Sequence, residues 1–285
     1  MSAVELERVF TNGIRMQCAV TGEGPVLFLL HGFPEFWRCW EPQIEELSRD
    51  FRLVIPDLRG FGGSDKPVAG YGARSTAADL YGLIRHFCGR KRARVAGHDW
   101  GGYMAWALAY LEPECLERIS VLNSPQPWMY LRNVLKRGQL FKTWYVKFFQ
   151  LPGIAEWFLT RNDGAGVETV LRTGTTRFDR FPRDYVDACR ANIVEPGAAA
   201  ASLEWYRAAV RNAYTGARFM RGTTDVPVQM VWGTSDPALS PWLTVGLERY
   251  APHHRVDLLE GIGHFVNHEA PGRVGRLVRE WMLAD

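Results

Sequence analysis

The stretch ARVAGHDWGGYMAWALAYL, residues 93–111, holds a strand signal, a sharp turn and a helix signal in one run. ARVAG (93–97) is a short apolar segment of the kind that forms a buried parallel strand. GGYMAWALAYL (101–111) has helical character. Asp99 stands between them, and Gly97 and Gly101 supply the small neighbours that a tight turn requires. A strand, a turn and a helix in this order form the setting in which a nucleophile is held exposed above a sheet. Free N–H groups and the positive dipole end at the start of the helix favour an ionised side chain there. The same position also suits an aspartate that merely caps the helix.

The neighbouring segments extend the pattern. VLFLL (26–30), RLVIPD (52–57) and ISVLNSP (119–125) are candidate strands, and STAADLYGLIRHFCG (75–89) is helical in character. ELERVF and IRMQCAV flank Thr11-Asn12-Gly13, a hairpin signal. Such alternation favours an α/β class with a doubly wound sheet and helices on both faces. The pattern breaks between about 127 and 222, where aromatics and arginines crowd and no buried-strand run occurs. Strands resume with VQMVWG (228–233) and HRVDLLEG (254–261), followed by a helix over 273–282. The expected organisation is a core of residues 1–126 and 223–285 with a helical cap (lid), 127–222, inserted in it. The return of strands favours an insertion over helices that simply cover the sheet.

With 285 residues, 47% of them hydrophobic, the chain has ample material for a large core. The net charge of +3 is spread along the sequence. No lysine or arginine run is long enough to read as a nucleic-acid site or a polybasic membrane patch. The partner implied is neutral and apolar, with no nucleic acid. Five scattered cysteines without a CxxC pair favour a reducing compartment, and a cytoplasmic location is expected. Glu5, Glu7 and Arg8 stand where a signal peptide needs an apolar core. PVLFLLHGF is far shorter than the ~20 residues that span a bilayer. No cofactor and no metal is expected: His86, His253, His254 and His268 lack metal-ligand spacing. Monomer and homodimer are both compatible with the sequence.

Two further residues bear on Asp99. Asp236 follows the strand VQMVWG, and His264 follows HRVDLLEG. An acid after one late strand and a histidine after the next give the order nucleophile, acid, base. Asp236 would orient His264, and His264 would act as general base. His31-Gly32-Phe33-Pro34 follows VLFLL, where an oxyanion-hole loop belongs, with the backbone N–H groups of Phe33 and Trp100 as expected donors. His31 is expected to pin that loop, and His98 to pack or hydrogen-bond beside it. A serine attacking a saturated carbon would leave an ether that water and histidine do not cleave. A carboxylate leaves an ester that they do. Asp99 therefore argues for displacement of an epoxide oxygen or a halide at a saturated carbon.

Five segments, HGFPEFWRCW, DLRGFGGSDKP, AGHDWGG, GTSD and GHF, run in that order between residues 31 and 265. With them the chain resembles the α/β-hydrolase epoxide hydrolases of the soluble type, relatives of the haloalkane and fluoroacetate dehalogenases. The resemblance implies an α/β-hydrolase fold with a mostly parallel, eight-stranded sheet and an inserted helical cap. It also implies two cap tyrosines that hold and protonate the epoxide oxygen. WYVKFFQLPGIAEW places the first at Tyr145 and SLEWYRA the second at Tyr206, with Tyr130 and Tyr214 less well placed. Such tyrosines also suit a purely packing role. The expected lining is Phe33, Trp37, Trp100, Phe149 and Phe265, which suits a small apolar epoxide and water as reactants. The expected activity is opening of that epoxide to a vicinal diol through a covalent ester on Asp99. A haloalkane dehalogenase is the alternative: Trp100 matches that branch, whereas Phe33 stands where it carries asparagine. Fluoroacetate dehalogenases place arginines where this chain has Trp100 and Tyr103. A non-catalytic ligand-binding protein on a hydrolase scaffold is the third reading.

Overall fold

Leucine, valine and isoleucine runs bounded by glycine, proline or aspartate determine where strands form. The computed structural model describes residues 4–136 and 138–284. β1 (Glu5–Thr11) and β2 (Ile14–Thr21) make a hairpin around Asn12 and Gly13, whose φ values of 46° and 81° are those of the mirror-image turn that suits strand twist. The other strands are β3 (Val26–Leu30), β4 (Arg52–Pro56), β5 (Ala93–His98), β6 (Leu116–Leu122), β7 (Val228–Gly233) and β8 (His254–Leu259). They form one eight-stranded sheet in the order β1-β2-β4-β3-β5-β6-β7-β8. β1 with β2 and β2 with β4 are antiparallel, and every other pair is parallel. This is the mostly parallel α/β sheet expected from the sequence.

Leu27 to Leu30 and most of β5 to β7 are buried, so both faces of the central sheet need cover. Helices α1 (Glu41–Leu47), α2 (Ala73–Cys88) and α3 (Trp100–Leu111) lie in the crossovers between strands. α2 packs against α3, and α1 against the C-terminal helix. Each large apolar side chain removed from water in this way contributes about 1.5–3 kcal/mol.

Between β6 and β7 the described residues form helices and turns but no strand: α4 (Pro127–Asn133), α5 (Gln139–Lys142), α6 (Trp144–Phe148), α7 (Ile154–Gly174), α8 (Arg183–Val194), α9 (Ala198–Arg211) and α10 (Ala213–Arg218). α11 (Val266–Glu269) and α12 (Pro271–Leu283) follow β8. α7 is broken at Arg161–Gly164, and the exposed carbonyls of Asn162 and Asp163 accept hydrogen bonds from Arg190 at 3.1 and 3.0 Å. Polar bonds tie this helical segment to the loop after β4. Trp205 Nε1 donates to the Arg59 carbonyl at 3.1 Å, and Arg59 is itself locked to buried Asp79 through Nε and Nη2. Among the described residues no helix is long and apolar enough to cross a membrane.

Candidate active site

β5 ends at His98 and α3 begins at Trp100, so Asp99 alone makes the turn. Its φ of 50° and ψ of −115° lie where residues other than glycine rarely go. The turn is held by the Asp99 N–H donating to the Leu122 carbonyl at 3.1 Å and the Tyr103 N–H donating to the Asp99 carbonyl at 3.0 Å. A Cβ on Gly97 would overlap the backbone of Gly101, and one on Gly101 would overlap the Leu30 carbonyl. Both glycines thus permit α3 to start directly against β5 and β3. The Asp99 carboxylate makes no capping hydrogen bond to α3. It occupies the cap position without doing the cap's work.

His264 Nε2 stands 3.6 Å from Asp99 Oδ2, too long for a hydrogen bond. On its other side Nδ1 meets Asp236 Oδ2 at 2.8 Å. Asp236 is buried and fully satisfied. Its Oδ1 accepts the N–H groups of Ala238 and Leu239 at 2.7 and 2.8 Å, and Oδ2 also accepts from Asn123 Nδ2 at 2.6 Å. Burial opposes a charged imidazole, but the carboxylates of Asp236 and then Asp99 outweigh it and hold the His264 pKa well above the usual histidine value. Burial likewise opposes the Asp236 carboxylate, and His264 with the donated hydrogen bonds keeps its pKa below the ordinary range. Asn123 was not foreseen. It follows β6 with a φ of 44°, and its Oδ1 accepts the Gly233 N–H at 3.1 Å. The local signal is an Asn-Ser-Pro that ends an apolar run.

The loop after β3 is pinned by His31. The Leu58 N–H donates to Nε2 at 2.9 Å, which leaves Nδ1–H to donate to the Gly32 carbonyl at 2.8 Å. Burial pushes the His31 pKa down to about 4, in keeping with this neutral tautomer. The Gly32 carbonyl also accepts the Glu35 N–H at 3.0 Å, closing the turn that carries Phe33. The Trp100 N–H lies in the first turn of α3, where no acceptor exists within the helix.

Behind this loop lies a second buried network that sequence reading missed. Glu35 Oε1 accepts from Tyr185 Oη at 2.8 Å and His268 Nε2 at 3.0 Å, and Oε2 stands 3.2 Å from His98 Nδ1. His98 Nε2 donates in turn to the His264 carbonyl at 2.9 Å. Burial opposes the Glu35 charge, and His268 and His98 more than compensate, so its carboxyl stays well below the usual range. Glu35→Ala would strand three buried polar partners, and equilibrium denaturation is expected to show a loss of about 3–5 kcal/mol. Glu35→Gln, which keeps the shape, should lose less.

Above Asp99 a cluster of rings closes the site. Tyr206 of α9 lies edge-on to Trp100 and Phe149, each at 4.9 Å between centroids, and to Phe33 at 5.2 Å. Tyr145 of α6 is 6.0 Å from Tyr206 and 5.7 Å from Phe149. Burial first, and then the negative charge of Asp99, push both phenols well above the usual tyrosine pKa, so both are protonated at neutral pH. Trp100 Nε1 is buried there without a hydrogen-bond partner among the described residues. Trp37 and Phe265 lie outside this cluster. The Trp37 N–H is held by Asp57 at 2.9 Å and its ring meets Phe36, while Phe265 is buried behind His264 and His98. Tyr130 is half-buried in α4, and Tyr214 is exposed on Trp128. Among the described residues no group of three potential metal ligands comes together.

The family model for the alpha/beta hydrolase fold matches residues 25–271. The AB hydrolase superfamily protein YfhM of Bacillus subtilis is 37% identical and covers 99% of each chain. Epoxide hydrolase 3 of Xenopus tropicalis is 32% identical over 98% of this chain and 77% of its own. Among solved structures, an epoxide hydrolase of Bacillus megaterium in complex with an inhibitor matches with a TM-score of 0.87 at 27% identity, covering 98% of this chain and 100% of that one. Epoxide hydrolase VrEH1 of Vigna radiata matches with a TM-score of 0.85 at 27% identity, covering 98% of this chain and 97% of that one.

Proposed function

The chain belongs to the α/β-hydrolase family, among epoxide hydrolases and their relatives, and from that premise we propose that it opens apolar epoxides to vicinal diols through an ester on Asp99. One observation carries the reading. Asp99 at the end of β5 has His264 Nε2 3.6 Å away, and its charge helps to keep the phenols of Tyr145 and Tyr206 protonated. Residues 127–222 then act as a cap, which supplies acids to a nucleophile held by the core.

In the first step an Asp99 oxygen attacks one ring carbon and the carbon–oxygen bond of the epoxide breaks. The developing alkoxide takes a proton from Tyr145 or Tyr206, and the other phenol donates a hydrogen bond. In the second step His264 removes a proton from water, and the hydroxide adds to the carboxyl carbon of Asp99. The N–H groups of Phe33 and Trp100 stabilise the resulting oxyanion. Collapse breaks the carbonyl–oxygen bond of the ester. The diol leaves with the attacking oxygen of Asp99, and the oxygen of water remains on the side chain. The two protons of that water end on the released diol oxygen and on the tyrosinate.

Styrene oxide is a suitable first substrate, with diol formation as the readout. Tyr145→Phe and Tyr206→Phe are each expected to lower kcat by roughly ten- to a thousandfold, and the double variant by more. The unpartnered indole N–H of Trp100 is the feature that favours a halide instead. Bromide release from bromoalkanes, without diol formation and without harm from Tyr206→Phe, would replace the epoxide reading. Tight ligand binding without any product, unchanged by Asp99→Ala, would support a binding protein.

A further inference from the structure

The helical segment between β6 and β7 also carries apolar side chains that the described residues leave exposed. Phe141 is 82% exposed, Trp144 64% and Trp157 60%, with Leu151 and Ile154 exposed between them. Ring contacts join this strip. Trp144 is 6.4 Å from Phe148, Phe148 is 5.5 Å from Phe158, and the Arg161 guanidinium sits 4.9 Å from Phe158 and 5.2 Å from Trp157. A lone exposed leucine is ordinary, but a continuous aromatic strip marks a contact surface.

Charge identifies what it contacts. Residues 128–161 contain six lysines and arginines and one acid, Glu156, in a chain whose whole net charge is only +3. Glu156 is neutralised by Arg207 at 2.7 Å. Arg132, Lys136 and Lys147 are exposed and, among the described residues, enter no salt bridge. A second copy of the chain would set one basic strip against another. An anionic bilayer accepts both components, since tryptophan and phenylalanine enter the headgroup boundary while lysine and arginine meet lipid phosphates.

We propose that the face formed by α5, α6 and the first half of α7 docks on an anionic lipid surface. The chain lies on the membrane and does not span it. Docking also brings α6, which carries Tyr145, next to the phase in which apolar molecules concentrate. The inference stands on exposure and charge alone and does not require the epoxide reading.

The test uses the full chain with vesicles of phosphatidylcholine alone or mixed with phosphatidylglycerol, read by co-sedimentation and by quenching of tryptophan emission with brominated acyl chains. Binding is expected to be at least about tenfold tighter to the mixed vesicles and to weaken with salt. Trp144→Ala with Trp157→Ala, and separately Lys136→Glu with Lys147→Glu, should each weaken it at least about tenfold while circular dichroism stays unchanged. Absence of binding to the mixed vesicles would overturn the proposal, as would equal binding by the parent and both double variants. A concentration-dependent dimer abolished by the tryptophan pair would assign the strip to a second copy instead.

Discussion

Asp99→Ala is expected to lower kcat on an epoxide by about ten-thousandfold to a millionfold, with substrate binding largely retained. Among the described residues the neighbouring carboxylates Asp236 and Glu35 are not free to take over. Asp236 is tied down by the N–H groups of Ala238 and Leu239, by Asn123 and by His264. Glu35 is committed to Tyr185 and His268 on the far side of the loop. Water alone would have to open the ring, without a held nucleophile. The rings of Phe33, Trp100, Phe149 and Tyr206 remain in the variant, so affinity should change far less than turnover. A single turnover in heavy-oxygen water tests the route directly in the parent enzyme. One labelled oxygen should appear in the Asp99 side chain. Diol formation with no label there would mean that water attacks the ring itself and that no ester forms.

The second large effect belongs to the other half-reaction. His264→Asn is expected to leave ring opening nearly intact and to slow ester hydrolysis by about a hundred- to ten-thousandfold. One equivalent of epoxide should be consumed in a burst, and intact-protein mass spectrometry should find its mass added at Asp99. Failure of the adduct to accumulate across a panel of epoxides would remove His264 from the base role. The pH dependence follows from the charges around the ring. In the free enzyme Asp236 and Asp99 both favour imidazolium. Ester formation neutralises Asp99, so the His264 pKa falls when the neutral base is needed. The hydrolytic step should therefore accelerate as pH rises through the His264 pKa of the alkylated enzyme, and this dependence should vanish in His264→Asn. Stability runs the other way. The raised pKa of folded His264 contributes fully below its unfolded value, near 6.5, and that contribution fades as pH rises through the folded value. Denaturation midpoints of the parent and His264→Asn should converge toward alkaline pH.

Sequence alone determined the alternation of strands and helices, the carboxylate at the β5 turn, and the acid and histidine after β7 and β8. All of these are local signals. An apolar run ending in glycine or aspartate marks the end of a parallel strand, and in such a sheet the strand ends gather on one side. Element edges were close: ARVAG grew by His98 into β5, and the helix read over 75–89 runs from Ala73 to Cys88. Only the tertiary structure decided that Asn123 holds Asp236, 113 residues away, and that Glu35 gathers His98, Tyr185 and His268. It also placed Trp37 and Phe265 outside the ring cluster and left Phe141, Trp144 and Trp157 exposed on α5 to α7. The physical reason is distance along the chain. Sheet register and helix packing set which side chains from remote segments face each other, and hydropathy periodicity shows which face is buried but not which remote residue it meets.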